Sequence, residues 1–395
     1  MKRIIIIISC ILFMLPTFVK ASETEAVLEE VTNETTLAEN AKSAILIEAE
    51  TGKILFEKNS HEKLAPASMT KIMSMLIIVE AIEKGVIAWD EVITVSENAS
   101  SMGGSQILLE TGEQMTVNDL FKGVAVASGN DAVVALAEAV AGTEENFVNM
   151  MNDKVKQLGL TDTNFKNPHG LDEANHYSSA HDMAFISREL VKHEKVLEFT
   201  SIYEDYLRKG TDREFWLTNT NKLTRFKPGV DGLKTGYTKE AGYCLTGTMK
   251  KNNMRLITTV MGEETSAIRN NEVSALLDYG NAMYKSVEII NKDTVVAKEE
   301  IEKGKDKYVE IVPKESVSMI IGKSEQLGEI TYEVKIDNIK APIKIGDIVG
   351  KLIVKNDNKK VKEVELTVNK DIQKANFIEL YLRYLNDLIN GKMGL

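Results

Sequence analysis

Ser68-Met69-Thr70-Lys71 sets a hydroxyl and an amine three residues apart, directly ahead of an apolar run from Ile72 to Val79. On a helix such residues are neighbours, so the Lys71 amine can reach the Ser68 hydroxyl. A serine hydroxyl is a weak nucleophile until a base takes its proton, and a lysine serves as that base only when its pKa is lowered. Burial, the positive end of a helix and a second cation each lower it. A second Ser-x-x-Lys, Ser60-His61-Glu62-Lys63, runs into Leu64-Ala65-Pro66. The residue before a proline avoids helical geometry, so this copy reads as a solvated loop. Two further motifs supply what a serine-lysine pair lacks. Ser128-Gly129-Asn130 falls between two helical stretches, where a turn exposes a hydroxyl and an amide together, and Lys234-Thr235-Gly236 opens a strand region with a second cation. Ser96-Glu97-Asn98 also fits Ser-x-Asn but lies beside Ala99-Ser100-Ser101 without helical flanks, and reads as a cap or a turn.

The elements that must hold these groups follow from periodicity. Ile72, Met75, Leu76 and Val79 recur at helical spacing and anchor a helix with Ser68 at its exposed start. Ala44-Ile45-Leu46-Ile47 and Ile54-Leu55-Phe56, around Glu50-Thr51-Gly52-Lys53, predict a hairpin just upstream. Thr116-Val117-Asn118-Asp119 has the spacing of a capping box and opens a helix that ends at Ser128-Gly129-Asn130. Helices are expected over 131–141, 143–157, 179–193 and 267–284, and strands over 242–249 and 254–260. Strands at both sequence ends of a helical middle predict an α/β domain with one mostly antiparallel sheet. From about Val287 the character changes: short strands at 294–296, 308–312, 316–321, 330–336 and 348–354 predict an all-β domain over 290–372. In the tail, Asn376, Glu379, Arg383, Asn386 and Asn390 form a narrow polar stripe, while Phe377, Ile378, Tyr381, Leu382, Leu385, Leu388 and Ile389 cover the rest. An amphipathic helix over 375–391 is therefore expected, suited to a membrane interface or to docking on its own β domain.

Composition bounds the setting. A chain of 395 residues that is 43% hydrophobic and 27% charged is long enough for two globular domains with tails. Lys2-Arg3, the apolar stretch Ile4 to Leu15 and Val19-Lys20-Ala21 match a secretory signal over 1–21, cleaved after Ala21. Loss of Lys2, Arg3 and Lys20 takes the formal charge from −11 to −14, which disfavours nucleic acid as a partner. Cys244 is then the remaining cysteine, so no internal disulfide is expected, and its strand context makes it a buried filler. Residues 22–41 carry glutamates among threonines and read as an acidic linker, with order beginning near Lys42. The five histidines contain no His-Glu-x-x-His, and one mature cysteine cannot build a thiolate site, so neither zinc nor another cofactor is expected.

Taken in order, Ser68-x-x-Lys71, Ser128-x-Asn130 and Lys234-Thr235-Gly236 resemble the three motifs of the penicillin-recognising active-serine enzymes. Ala65-Pro66-Ala67-Ser68-Met69-Thr70-Lys71, Asn167-Pro168-His169-Gly170-Leu171, Asp231-Gly232-Leu233-Lys234-Thr235-Gly236 and Ala241-Gly242-Tyr243 narrow the likeness. They are similar to the low-molecular-mass D-alanyl-D-alanine carboxypeptidases of peptidase family S11 type, over about Lys42 to Tyr284, and the trailing β domain and amphipathic tail are similar to that family's layout. The resemblance implies a β-lactamase/transpeptidase-like catalytic domain over 42–285, an antiparallel sheet plus a helical subdomain, followed by the small all-β domain and the terminal helix.

It also implies a division of labour. Ser68 would attack the carbonyl between two D-alanines, Lys71 accept its proton, Ser128 relay a proton to the departing amine, and Asn130 hold Lys71 or the substrate backbone. Lys234 would add a fixed positive charge that keeps Lys71 neutral and, with Thr235, receives the substrate's terminal carboxylate. Gly236 would let the peptide approach the strand closely. The oxyanion hole would be the backbone N–H groups of Ser68 and Tyr237. Arg269 matches a position the family associates with substrate-carboxylate binding, and His169 sits in the Pro-His-Gly loop, for loop ordering or for deacylation. The implied partners are peptidoglycan stem peptides ending in D-Ala-D-Ala, with β-lactams as inhibitors, at the outer face of the cytoplasmic membrane. A β-lactamase or a penicillin-binding sensor of the same fold shares the motifs; the extra β domain and the amphipathic tail favour the carboxypeptidase.

Overall fold

The computed structural model describes residues 37–389. Expectations for the signal at 1–21 and for most of the acidic linker fall outside those residues. Order begins upstream of Lys42: Ala38 and Ala41 are buried, and Asn40 donates from its backbone N and its Nδ2 to Glu272 Oε1 at 2.8 and 2.9 Å. The last five residues assigned to the linker are thus a folded strap, because two alanines and an asparagine amide find partners on the body.

The first hairpin pairs β1 (Ser43–Glu48), buried throughout, with β2 (Ile54–Lys58). A 3₁₀ turn, Ala67–Thr70, feeds α1 (Lys71–Glu83), which is buried from Lys71 to Val79 on every side. A helix without a polar face belongs inside a core, and here it is the central rod of the helical half. Around it lie β3 (Val92–Thr94), α2 (Glu97–Ser100), β4 (Gln114–Thr116), α3 (Val117–Ala127), α4 (Asn130–Ala141), α5 (Glu144–Gln157), α6 (Ala180–Leu190) and α7 (Glu194–Thr200). The Thr116 side chain accepts from Asp119 N at 3.2 Å, so the predicted cap forms on that side. The helix expected over 179–193 stops at Leu190, and α7 follows after a break at His193.

A hairpin of β5 (Glu204–Leu207) and β6 (Phe215–Thr218), then the short α8 (Leu223–Phe226), lead into β7 (Val230–Thr238), β8 (Gly242–Lys251) and β9 (Met254–Glu263). The principal sheet is antiparallel with order β2-β1-β9-β8-β7, so the N-terminal hairpin completes a sheet begun by strands from two hundred residues downstream. Ile45, Ile47 and Ile257 face the core around α1 and α6. Leu46, Leu245 and Leu256 face the opposite core with Val273, Leu276 and Leu277 of α9 (Ser266–Met283). Strand β7 is left at an edge, and that edge borders the site.

Helix α9 runs directly into β10 (Tyr284–Ile290), which pairs with β13 (Val317–Gly322). The remaining strands, β11 (Ala297–Glu300), β12 (Tyr308–Pro313), β14 (Ile330–Ile336), β15 (Gly350–Asn356) and β16 (Lys359–Val368), form a sheet ordered β11-β12-β16-β15-β14 over a core that includes Ile311, Leu352 and Leu366. The strand expected at 294–296 begins instead at Ala297, and β16 was not expected, its lysines and glutamates masking the inward Val364, Leu366 and Val368. Helix α10 (Phe377–Ile389) ends the described chain with no buried residue. It is tied to the β domain by Lys307–Asp387 at 2.7 Å and by Arg383 Nη2 donating to the carbonyls of Gly304 and Lys305. Among the described residues no helix is long and apolar enough to cross a membrane.

Candidate active site

Three connections converge beside β7: the turn before α1, the turn between α3 and α4, and the loop 166–171. Ser68 lies in the 3₁₀ turn rather than in the first α-helical turn, and Lys71 is the first residue of α1. With three residues per turn, a 3₁₀ segment eclipses side chains at that spacing, and Lys71 Nζ sits 3.1 Å from Ser68 Oγ. Ala67, just before the serine, is fully buried with φ 47°, a left-handed geometry that costs a non-glycine residue about 1–2 kcal/mol.

Two glycines allow that turn to be enclosed. A Cβ on Gly236 would lie 2.8 Å from Pro66 O and 3.1 Å from Ala67 Cβ, and one on Gly170 (φ 87°) would lie 1.9 Å from Ala67 O. Gly236 thus has a packing role that the sequence reading did not give it. Its bare face is spent on the serine turn, because alternate strand residues point to opposite faces of the sheet.

Lys71 is wholly buried and has three partners: Ser68 Oγ, Asn130 Oδ1 at 2.6 Å and the carbonyl of His169 at 2.7 Å. Asn130 Nδ2 donates to Gly103 O at 2.7 Å, which fixes the amide so that its oxygen faces the lysine. Burial holds the Lys71 pKa well below its ordinary value, the charge of Lys234 pushes it further down, and Asp131 opposes. A neutral amine has two N–H bonds and one lone pair. Two of the three partners are carbonyl oxygens that can only accept, so they take the two hydrogens. The lone pair is left for the one partner that owns a proton, the Ser68 hydroxyl.

Ser128 ends α3 with φ 63°, in the position where glycine is usual, and its Oγ is buried without a hydrogen-bond partner among the described residues. An orphaned buried hydroxyl costs about 1–3 kcal/mol, which a transient partner in the site would recover. Lys234 is buried in the middle of β7, where its Nζ donates to Thr235 O at 3.1 Å. Burial, and then the neighbouring Arg269, lower its pKa to about 7. Arg269 is itself buried and binds Asn270 Oδ1. Neither side chain forms an ion pair among the described residues, so no carboxylate there offsets the effect of each on the other. Thr235 Oγ1 donates to Thr220 Oγ1 at 2.7 Å. Tyr237 is 54% exposed, its ring 4.3 Å from that of Tyr243.

Of the residues singled out, Ser68, Lys71, Asn130 and the backbone of His169 are joined by hydrogen bonds, and Lys234 and Arg269 act on one another electrically. The His169 side chain takes no part in that web. Its Nδ1 accepts from Leu171 N at 3.2 Å, and burial holds its pKa down at about 3, so the ring is neutral and what it presents to Lys71 is its carbonyl. The decoys are structural. Ser60, expected in a solvated loop, is buried with Oγ on Glu57 at 2.7 Å, and Ser96 caps α2 while bonding Glu138 at 2.6 Å. Sequence reasoning missed Thr220, which carries no motif, and Asp131, whose buried carboxylate accepts from Ile107 N and Leu109 N and folds the 103–109 loop over Asn130. An acid directly after a motif asparagine was the available signal for the latter. Cys244 is buried as expected, its thiol pushed up to about 11 by burial.

Comparison with known proteins gives a consistent picture. Residues 30–265 match the Peptidase S11 family, described as D-alanyl-D-alanine carboxypeptidase, and residues 284–374 match the C-terminal domain of penicillin-binding protein 5. The chain is 51% identical over 352 residues to D-alanyl-D-alanine carboxypeptidase DacF of Bacillus subtilis, spanning 89% of this chain and 90% of that one. Penicillin-binding protein 5 from Haemophilus influenzae superposes with a TM-score of 0.68 at 33% identity, covering 85% of this chain and 98% of that one. Penicillin-binding protein D2 from Listeria monocytogenes in a cefotaxime-bound form gives 0.55 at 30% identity, covering 60% and 96%.

Proposed function

The chain belongs to the Peptidase S11 family of D-alanyl-D-alanine carboxypeptidases, and from that membership we propose how its own residues run the reaction. It is a serine hydrolase acting on peptides that end in D-Ala-D-Ala. Ser68 gives its proton to the lone pair of Lys71 as its Oγ attacks the carbonyl of the penultimate D-alanine. The N–H groups of Ser68 and Tyr237 receive the developing oxyanion. Collapse breaks the C–N bond, and the proton held by Lys71 passes through the Ser128 hydroxyl to the departing amine. Water, deprotonated by Lys71 in turn, then hydrolyses the ester on Ser68. Lys234, Arg269 and Thr235 hold the terminal carboxylate, which supplies the counter-charge those two cations lack.

One observation carries this reading: the Lys71 amine meets two oxygens that only accept and one hydroxyl that can donate. Purified protein is expected to release D-alanine from a pentapeptide ending in D-Ala-D-Ala, Ser68→Ala to lose at least ~10³-fold in rate, and Ser60→Ala to match wild type. Equal release by Ser68→Ala would sink the assignment. The cefotaxime-bound relative supports β-lactams as inhibitors here. A long-lived adduct with a fluorescent penicillin is expected, whereas rapid turnover of the antibiotic would point to a β-lactamase, and labelling without D-alanine release to a sensor.

The enzyme works outside the cytoplasm on this reading, exported by the segment 1–21 and held at the membrane by the segment 375–391. Supporting the second part, α10 exposes Phe377, Ile378, Leu382, Leu388 and Ile389. It carries Glu379 and Asp387 against Arg383, a net charge of −1, so apolar burial rather than anionic lipid would drive binding.

A further inference from the structure

We propose that His176 is a positioning residue for acylation, its imidazole bridging the Lys166 amide and the Thr70 hydroxyl so that the turn carrying Ser68 and Lys71 is held against the loop that supplies the His169 carbonyl. The inference rests on Ser68 and Lys71 being the nucleophile and base. His176 lies 106 residues from Thr70 in sequence, and the contact between them is buried.

The donors can be assigned. Lys166 N–H donates to His176 Nδ1 at 3.0 Å, so Nδ1 carries a lone pair. A neutral ring then bears its hydrogen on Nε2, which lies 2.8 Å from Thr70 Oγ1 and donates to it. A protonated ring would set N–H against N–H at Lys166. The neutral form is the one the surroundings favour, since burial lowers the His176 pKa to about 4 against the opposing charges of Glu173 and Asp172.

Thr70 stands between the serine and lysine positions, at the N-cap of α1, yet its side chain makes no capping bond. Its backbone is helical, φ −45° and ψ −36°, a geometry in which a threonine hydroxyl does not cap the helix, and that hydroxyl is left to meet His176. The same loop is tied to α1 by Ser74 Oγ donating to Pro168 O at 2.6 Å and by Lys71 Nζ donating to His169 O at 2.7 Å. Gly170 packs its bare face on Ala67 O and Thr70 Oγ1. Nothing covalent keeps the His169 carbonyl in register with Lys71, so the bridge at the loop's far end sets the angle at which it arrives. If that carbonyl drifts, Lys71 gains a free N–H and its lone pair turns from Ser68, and a misplacement of about 1 Å in such a group costs about 10²-fold in rate.

Paired variants test this. Asparagine places an oxygen where Nδ1 was and keeps the Lys166 contact, whereas glutamine places an N–H where Nε2 was and keeps the Thr70 contact. Each severs one end of the bridge, so for the full-length protein the second-order rate constant for acylation by a fluorescent penicillin is expected to fall roughly 10–100-fold in His176→Asn, in His176→Gln and in Thr70→Val. It should stay within about threefold of wild type in Thr70→Ser, and His176→Asn with Thr70→Val together should be no slower than the worse single variant. Thermal midpoints of the two His176 variants are expected to match, since both trade a ring for an amide. Acylation at the wild-type rate in either His176 variant or in Thr70→Val, or a loss that tracks thermal midpoint across the set, would overturn the proposal. Should His176→Asn fail to fold, the Thr70→Val and Thr70→Ser pair decides the matter alone. Labelling of Ser68→Ala would instead refute the nucleophile, whatever His176 does.

Discussion

On the proposed mechanism two buried amines in this site must be kept in opposite states. Lys71 has to be neutral to act as a base, and Lys234 has to be charged to hold a carboxylate, yet burial lowers both. Burial and the charge of Arg269 lower the Lys234 pKa to about 7, and a substrate carboxylate beside it would favour the charged form. Raising pH through that value removes the ammonium from the free enzyme. We expect kcat/KM for the peptide to decline above about pH 7, and Lys234→Arg, whose guanidinium keeps its proton, to move that decline upward by at least ~2 pH units. An unmoved alkaline limb would assign it to another group. Asn130→Asp makes the converse point. It is nearly isosteric, but a carboxylate 2.6 Å from Lys71 Nζ would favour the ammonium, so acylation at neutral pH should fall ~10²-fold or more and recover as pH rises. A pH-independent loss would mean that Asn130 acts on the substrate instead. At this scale the sequence was informative about side chains and silent about backbone. It pointed to Ser68, Lys71 and Asn130 as groups to be joined, while the partner from the Pro-His-Gly loop proved to be a carbonyl, which every residue owns.

Elements meet here at closer range than side chains would allow, and glycine is what permits it. The loop at Gly170 rests on the carbonyl of Ala67 and the edge strand at Gly236 rests on Pro66 and Ala67. Gly170→Ala should therefore push the loop off the serine turn, lowering stability by more than ~2 kcal/mol in thermal unfolding and slowing acylation in the folded fraction. A variant with wild-type stability and labelling would show that the contact yields easily. Helix starts and stops were legible where a cap or a glycine marked them, as at Thr116, Gly142 and Gly159. The break at His193 that separates α6 from α7 carried no such mark. Strand β16 was hidden for another reason: its outward lysines and glutamates outnumber its inward apolar residues, so alternation is visible only once its partners β12 and β15 define which face is in.

Across the whole molecule, the catalytic sheet and the β domain join without a spacer, since α9 runs straight into β10 and Lys53 Nζ donates to Ile320 O at 2.9 Å. The same continuity reaches α10, which is fastened by Arg383 of its polar stripe and by Asp387 beside that stripe, and so turns its apolar residues outward. Truncation before Asn376 should shift the protein from the membrane to the soluble fraction while D-alanine release from a soluble pentapeptide stays within about twofold. Unchanged membrane association would leave α10 as a docking helix.

What the sequence determined by itself is local in origin. Periodicity, caps and the three motifs follow from neighbours along the chain, and they were enough to specify the reactive groups, the α/β class and the trailing β domain. What only tertiary structure decided is set by residues far apart. It put a 3₁₀ turn rather than an α-helical turn under Ser68, made a backbone carbonyl the third partner of Lys71, buried Lys234 beside Arg269 so that its pKa falls, and packed Gly236 against the serine turn. Each of these depends on burial and on distances between segments a hundred residues apart, quantities that a linear order of side chains does not contain.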